Sequence, residues 1–314
     1  MSANNTGNTQ ALIRDQLWQR QLEETLHEML MGTPYVRQLD FPDGDSFIMP
    51  SIGTAVVRNL PEDVEVTFDA LDTGEQVFTL DAPVVAATSI SEVLMEDSLW
   101  ASDLLATVPV EHAQAIMERF ESDVFALAGT QTDASNGAAI AGIEHRRRGH
   151  GSSNHIDPKD FAYAGYALKK AKIPNANLVA IVDPSVAYDI ETSTNLVNVS
   201  NNPRWEGVIE SGMSNNMRFV KNVYGFDVYE SNLLAESTET LDGQTFTNGK
   251  QNMFLSASRD MLLPFAVAWR RRPKMDREFD FRRREEQIVT TARWGRKLVR
   301  EDNLIVTVTE ADVA

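Results

Sequence analysis

Acidic and basic side chains are segregated along this chain, and that limits what it can fold into alone. Residues 1–130 hold five Arg, no Lys and 22 Asp and Glu, which accounts for the whole net charge of −17. Residues 131–314 balance at 24 basic and 24 acidic side chains, and within them Arg259 to Arg300 holds 13 basic against six acidic residues. An acidic front and a basic rear strip on one molecule favour head-to-tail contact between copies, because complementary potentials steer approach and reject like-charged registers. A monomeric enzyme gains nothing from that pattern; a self-assembling protein does.

Composition removes several classes of function. The 314 residues suffice for two domains, or for one large domain with extended arms. Zero cysteines exclude disulfides, thiolate catalysis and Cys-ligated zinc. Ser2 to Gln10 is polar, and no apolar run approaches the ~20 residues of a membrane span, so the chain reads as soluble, without a membrane partner.

Periodicity gives the order of elements. Residues 11–30 read as an amphipathic helix carrying Leu12, Leu22, Leu26, Met29 and Leu30, stopped by Gly32-Thr33-Pro34. Its stripe packs either on its own domain or, as an arm, on a neighbouring subunit. Residues 36–90 read as a long acidic β-hairpin with turn signals at Asp43-Gly44, Asn59-Leu60-Pro61 and Asp72-Thr73-Gly74. A two-stranded ribbon is barely stable by itself, so it is expected to lie across another molecule. Residues 109–128 form a one-sided helix opened by Pro109 and closed by Gly129. A flexible loop, 129–153, follows.

Helices are expected from Asp157-Pro158 to about Lys172 and from Asp183-Pro184 to about Thr192, with strands over 178–182, 217–221 and 226–229. The last third shows strand-like runs at 252–257, 279–283, 287–292 and 304–309, interrupted by a helical or turn segment over 260–268. The fold class is α+β.

Catalytic candidates fail on spacing. His145, His150 and His155 stand five apart, which suits neither a helical zinc pair nor a rigid carboxylate set. Gly212-Met213-Ser214 and Gly151-Ser152-Ser153 lack a strand–elbow–helix context, and no phosphate-binding glycine fingerprint occurs. No catalytic, cofactor or metal site is predicted, and no enzyme activity. The arginines of the rear strip are interleaved with Asp276, Glu278, Asp280, Glu285 and Glu286. That favours intersubunit ion pairing over a solvated face or nucleic-acid contact, since Arg pairs bidentately with carboxylates. Arg146, Arg147 and Arg148 differ: no acid follows until Asp157, so they are the candidate DNA-facing group.

The order of arm, acidic hairpin, one-sided helix, α/β core and basic strands resembles the major capsid proteins of tailed bacteriophages, the Hong Kong 97-like fold. Two runs carry the detail: Asn177-Leu178-Val179-Ala180-Ile181-Val182-Asp183-Pro184, and Tyr224-Gly225-Phe226-Asp227-Val228-Tyr229-Glu230-Ser231-Asn232-Leu233. Arg293-Trp294-Gly295-Arg296 resembles the closing strands. The resemblance implies an N-terminal arm (1–35), an E-loop hairpin (36–90), a P domain with a spine helix (91–155), an A domain (156–258) and C-terminal P-domain strands (259–314). It implies hexamers and pentamers of an icosahedral shell, assembled in the host cytoplasm and found in the virion. Scaffolding and portal proteins, a decoration protein and packaged DNA are the implied partners.

Candidate contacts between copies are then Leu22 and Leu26 of the arm, and Asp63, Glu65, Asp69, Asp72 and Glu75 of the hairpin. On the strip they are Arg271, Arg272, Arg282, Arg283, Arg284 and Arg296. The first lysine is Lys159, so the E-loop lysine some members use for a covalent cross-link is missing. The early start of the arm implies a separate scaffolding protein or a processed form. An encapsulin-type cellular shell, of the same fold, is the alternative reading, and a DNA-binding protein the second.

Overall fold

The structure is a computed structural model that describes residues 32–41, 44, 46–52, 57, 59, 65, 73–97, 101–132, 140, 142–192 and 219–311. The front part consists of β1 (Val36–Asp40), β2 (Ser46–Ile52), β3 (Thr73–Thr79), β4 (Val84–Ser91), α1 (Glu92–Asp97) and α2 (Ala101–Phe125). The middle holds β5 (Arg146–Arg148), α3 (Pro158–Lys170), β6 (Leu178–Val182), α4 (Pro184–Thr192), β7 (Phe219–Val223) and β8 (Phe226–Glu230). Short strands β9 (Glu236–Ser237), β10 (Thr240–Leu241) and β11 (Gln244–Thr245) lead to β12 (Gly249–Ser256). The chain closes with β13 (Phe265–Asp280), β14 (Glu285–Leu298) and β15 (Leu304–Thr309).

Two sheets organise these elements. One is four-stranded in the order β1-β13-β14-β4, with β1 parallel to β13 and the other pairs antiparallel. The other is seven-stranded, running β5-β15-β12-β6-β8-β7 with β9 added on β12. Helix α2 places Ile116, Phe120 and Val124 on one stripe, the i, i+4, i+8 spacing of a buried helical face, and all three are buried. Phe120 stacks on Trp269 of β13 with ring centroids 4.8 Å apart and meets Trp294 of β14 edge-on at 5.5 Å. Burying each such side chain contributes about 1.5–3 kcal/mol or more, so this aromatic trio fixes the helix to the sheet. The same apolar cluster continues without a break into Val179, Ile181, Met253, Leu255 and Val306 of the seven-stranded sheet.

The alternate residues of β6, Ala180 and Val182, face the opposite way, under α3 and α4. There Phe161 of α3 meets Phe254 edge-on at 5.1 Å, and Phe226 meets Phe254 at 5.5 Å. Helix α3 starts where the sequence demands it. Asp157 accepts a bond from the Lys159 amide at 2.8 Å, Asp160 accepts one from the Asp157 amide at 2.9 Å, and Pro158 fills the first turn.

Several expectations need correction. The predicted arm helix over 11–30 lies outside the described residues. Among the described residues of 36–90, β2 and β3 pair with each other, whereas β1 and β4 join the C-terminal strands. Val36 of β1 and Ile90 of β4 find a partner face within the chain and are buried, while Val85 on the other face of β4 stays 55% exposed. Helix α2 begins eight residues before the predicted Pro109, which sits inside it. The stretch from Ala101 to Val108 contains no breaker, and a proline in the ninth helical residue removes one hydrogen bond without ending the helix. The strand-like runs foreseen at 279–283 and 287–292 belong to one hairpin of 16- and 14-residue strands, and the helical or turn segment expected over 260–268 is a single turn at Asp260–Leu262, with β13 starting at Phe265. Dense charge does not interrupt a strand whose two faces both reach water.

Candidate assembly surfaces

The β13–β14 hairpin carries the basic strip, and its register decides which charges share a face: Lys274 and Asp276 lie on the same one and pair at 2.7 Å. Asp276 lies opposite Val289, Glu278 opposite Gln287 and Asp280 opposite Glu285, which puts three β13 acids on one face. Arg277, opposite Ile288, belongs to the other face and pairs with Glu286. At the turn, the Asp280 carboxylate accepts the Arg282 amide at 2.7 Å, an Asx-type closure, and Arg284 takes the left-handed backbone that ends it, with φ 56°. Phe281, 80% exposed, projects there beside Phe279, with ring centroids 5.2 Å apart.

Three arginines of the strip are paired within the subunit by acids of the front part. Arg284 makes a two-pronged pair with Glu92, at 2.6 and 3.0 Å. Arg272 reaches Asp40 at 3.1 Å. Arg296 bridges Asp123 of α2 at 2.5 Å and Asp81, in the β3–β4 connection, at 3.7 Å. Arg284, Arg272 and Arg296 were expected to serve a neighbour; the fold brings acids from the front of the chain onto them first, because β1, β4 and α2 pack beside β13 and β14. Arg283 lies 3.7 Å from Glu285, and Arg271 donates to the Thr291 hydroxyl at 3.3 Å. Arg282 shows no carboxylate partner among the described residues. Leu22, Leu26, Asp63, Asp69 and Asp72 lie outside the described residues; Glu65 and Glu75 are exposed.

The β2–β3 ribbon has two unlike faces. Phe78 turns inward and is buried with Phe41, Ala266 and Ala268, while Met49 and Val299 pack around them. Lys297 donates to the Val77 carbonyl at 3.1 Å, and a Cβ on Gly295 would stand 2.5 Å from the Thr79 carbonyl oxygen, so glycine permits the close approach. On the outer face the cross-strand pair Ile48 and Val77 is 51% and 42% exposed. Sequence reasoning missed this pair; its signal was the alternation Phe47-Ile48-Met49 against Val77-Phe78.

The Arg146–Arg148 segment is not the predicted flexible loop. It is β5, parallel to β15, at the edge of the seven-stranded sheet. Arg146, 3% exposed, pairs with Glu239 through two nitrogens and donates to the Ala128 carbonyl at 2.8 Å. Arg147 lies over the Tyr163 ring, 3.9 Å from its centroid, and contacts His150. Burial raises the Tyr163 phenol pKa, and the Arg147 charge works against that rise. Arg148, half-buried, is held by Asn154 at 3.1 Å and Asp242 at 3.7 Å. Gly149 and Gly151 wrap the following turn so tightly that a Cβ on either would collide with the His155 carbonyl oxygen. Arg146 and Arg147 are therefore walled in and cannot face DNA from the folded subunit.

His145 and His155 are buried, and His150 pairs with Asp160 at 2.9 Å. No group of three or more metal-ligating side chains converges among the described residues. Tyr35 packs against Tyr229, with centroids 6.1 Å apart. Burial first, then Tyr229 and Asp227, push its phenol pKa far above the usual value.

Two sheets sharing one core, a long helix at their junction, and a ribbon and a hairpin with exposed apolar ends describe a structural subunit. The sequence matches the phage capsid protein family over residues 85–300, and the chain belongs to that family. Solved phage capsids share the fold. The capsid of the cyanophage P-SCSP1u has a TM-score of 0.70 at 15% identity, covering 95% of this chain and 94% of that one. The mature capsid of bacteriophage PhiM1 has a TM-score of 0.66 at 12% identity, covering 92% and 90%. Mycobacterium phage Che8 gives 0.63 at 16% identity, covering 92% and 95%. No curated protein matches the sequence.

Proposed function

We propose that this capsid protein is the major head subunit of a tailed, double-stranded DNA phage, forming hexamers and pentamers of an icosahedral shell with a Hong Kong 97-like fold. In that reading β2–β3 is the root of the E-loop, α2 the spine helix of the P domain, and the α3–α4 layer with its sheet the A domain. The ribbon would lie on an adjacent subunit, with Glu65 and Glu75 toward its exposed Arg282 and Arg283. A scaffolding protein and a portal would complete the assembly pathway.

The observation that carries this reading is the exposed Ile48–Val77 pair on a ribbon whose other face is already buried at home. A cross-strand apolar pair left in water is unfavourable, at about 25 cal/mol per Å², unless another surface covers it. Ion pairs at the rim add about 0–1 kcal/mol each and set register.

The test is negative-stain microscopy of the wild-type protein, expressed with a candidate scaffolding protein, beside the I48D/V77D variant. Shells from the wild type and folded, soluble, unassembled subunits from the variant are the expected result. Normal shells from I48D/V77D would overturn the ribbon-on-neighbour contact.

A further inference from the structure

The arginine corner at β5 is closed, yet a strongly basic surface lies beside it. Residues 145–172 hold seven Arg and Lys against Asp157 and Asp160 alone, in a chain of net charge −17. Three of the seven are the walled-in or paired arginines of β5. The other four, Lys159, Lys169, Lys170 and Lys172, are exposed on α3 and the turn that ends it. None of them pairs with a carboxylate among the described residues, and the one acid inside α3, Asp160, is buried under His150.

Their spacing is ordered. Lys159, Tyr163, Tyr166 and Lys170 fall at i, i+4, i+7 and i+11, one stripe about 16 Å long at 1.5 Å per residue. Tyr166 is 53% exposed, and its ring stands 6.0 Å from that of Tyr163. The buried face of the same helix, Phe161, Ala164, Ala167 and Leu168, fixes which way the stripe points. Lysines in a last helical turn also complement the helix dipole, which accounts for Lys169 and Lys170 but not for Lys159 or the tyrosines.

We infer that the solvent face of α3 is a sequence-independent binding surface for a nucleic-acid backbone. Lysine ammoniums are compact, hydrated point charges that suit phosphates without demanding geometry; the exposed Tyr166 hydroxyl can donate to a phosphate oxygen, while that of Tyr163 already donates to the Glu144 carbonyl at 3.1 Å. A second copy's acidic ribbon is the competing occupant. Residue choice argues against it: the carboxylates paired across elements here are mostly held by arginine, as in Arg284–Glu92, Arg296–Asp123 and Arg146–Glu239. The acidic front of the chain does not forbid the contact, since salt screens charges more than about 8 Å away at physiological ionic strength. The inference rests on the shell reading for where the nucleic acid would be, but not for whether the face binds it.

The experiment is fluorescence anisotropy of a labelled 20-base-pair duplex titrated with soluble wild-type protein at several salt concentrations. K169E/K170E and, as a folded control from another surface, R282E/R283E are measured alongside. With four lysines engaged, log affinity should fall with log salt at a slope of about −3 to −4, since each neutralised phosphate contributes roughly −0.9. K169E/K170E should lower the magnitude of that slope by about 2 and weaken binding at least tenfold at low salt, while R282E/R283E changes neither. Equal binding by K169E/K170E and wild type, or no wild-type binding at low salt, would overturn the inference. So would lost shell formation with unchanged duplex binding, which would assign the face to another copy. Shell formation, scored separately by microscopy, tests the earlier reading independently.

Discussion

The tripeptide Arg-Arg-Arg occurs three times, at 146–148, 270–272 and 282–284, and the first and last of these have opposite outcomes. At the first site the backbone joins a sheet edge, and the side chains reach Glu239, the Ala128 carbonyl and the Tyr163 ring. At the second, a hairpin turn holds the backbone and points two of three guanidiniums into water. The same residues act as internal ties in one place and surface charge in the other. What differs is the supply of acceptors: a sheet edge packed against α3 and the β9–β10 turn offers several, a hairpin end offers its own flanking acids. A charge run thus has no fixed role until the fold gives it neighbours.

Mutations separate the two sites. R146A should be the most damaging, because it strands a mostly buried carboxylate and a carbonyl; a loss of about 3 kcal/mol in urea unfolding is expected. R283A should lie within about 0.5 kcal/mol of wild type in the same assay. Equal effects at the two positions would erase the distinction. G149A, which must push the His155 carbonyl aside, should cost about 1–3 kcal/mol by the same measurement. R296A and R284A should rank next. The first breaks a half-buried bridge between α2, β14 and the β3–β4 connection, and about 1–2 kcal/mol is expected. The second breaks an exposed pair and should cost about 0.5–1 kcal/mol.

The smallest effect concerns pH. Tyr35 has its phenol pKa raised in the folded state, so the stability it supports is complete below the unfolded value of 10.0 and disappears as pH rises toward the folded one. Wild type should therefore lose more stability than Y35F between pH 9 and pH 11, read as a difference in thermal midpoint. An identical decline in both would remove Tyr35 from the alkaline limb.

Much of this was legible in the sequence, and the reason varies by element. Helix α3 was placed correctly because Asp157, Pro158 and Asp160 form a local start signal that no tertiary contact needs to supply. Strand β6 was placed because five apolar residues bounded by Asn177 and Asp183 fit only a strand buried on both faces. Pairing partners were less visible. Val36–Asp40 bonds to residues more than 220 positions away, and nothing local in it distinguishes that partner from β2. The charge asymmetry was read as a contact between copies, yet Asp40, Asp81, Glu92 and Asp123 spend part of it inside the subunit. Net charge counts residues, and only folding decides which of them still have a charge to offer. The exposed faces of α3 and of the ribbon follow from periodicity alone, since the side of an element that its own core does not use is fixed by the side that it does.

The shared core at the end of α2 has a mechanical consequence. Phe120, Trp269 and Trp294 on one side and Ile181, Met253 and Val306 on the other belong to a single close-packed cluster, so hinging one sheet against the other would open voids at its centre. Each subunit is in effect one stiff tile. A curved lattice built from such tiles would have to find its compliance at their seams and in their thin extensions, which puts the adjustment of curvature in the two-stranded parts and not in the body.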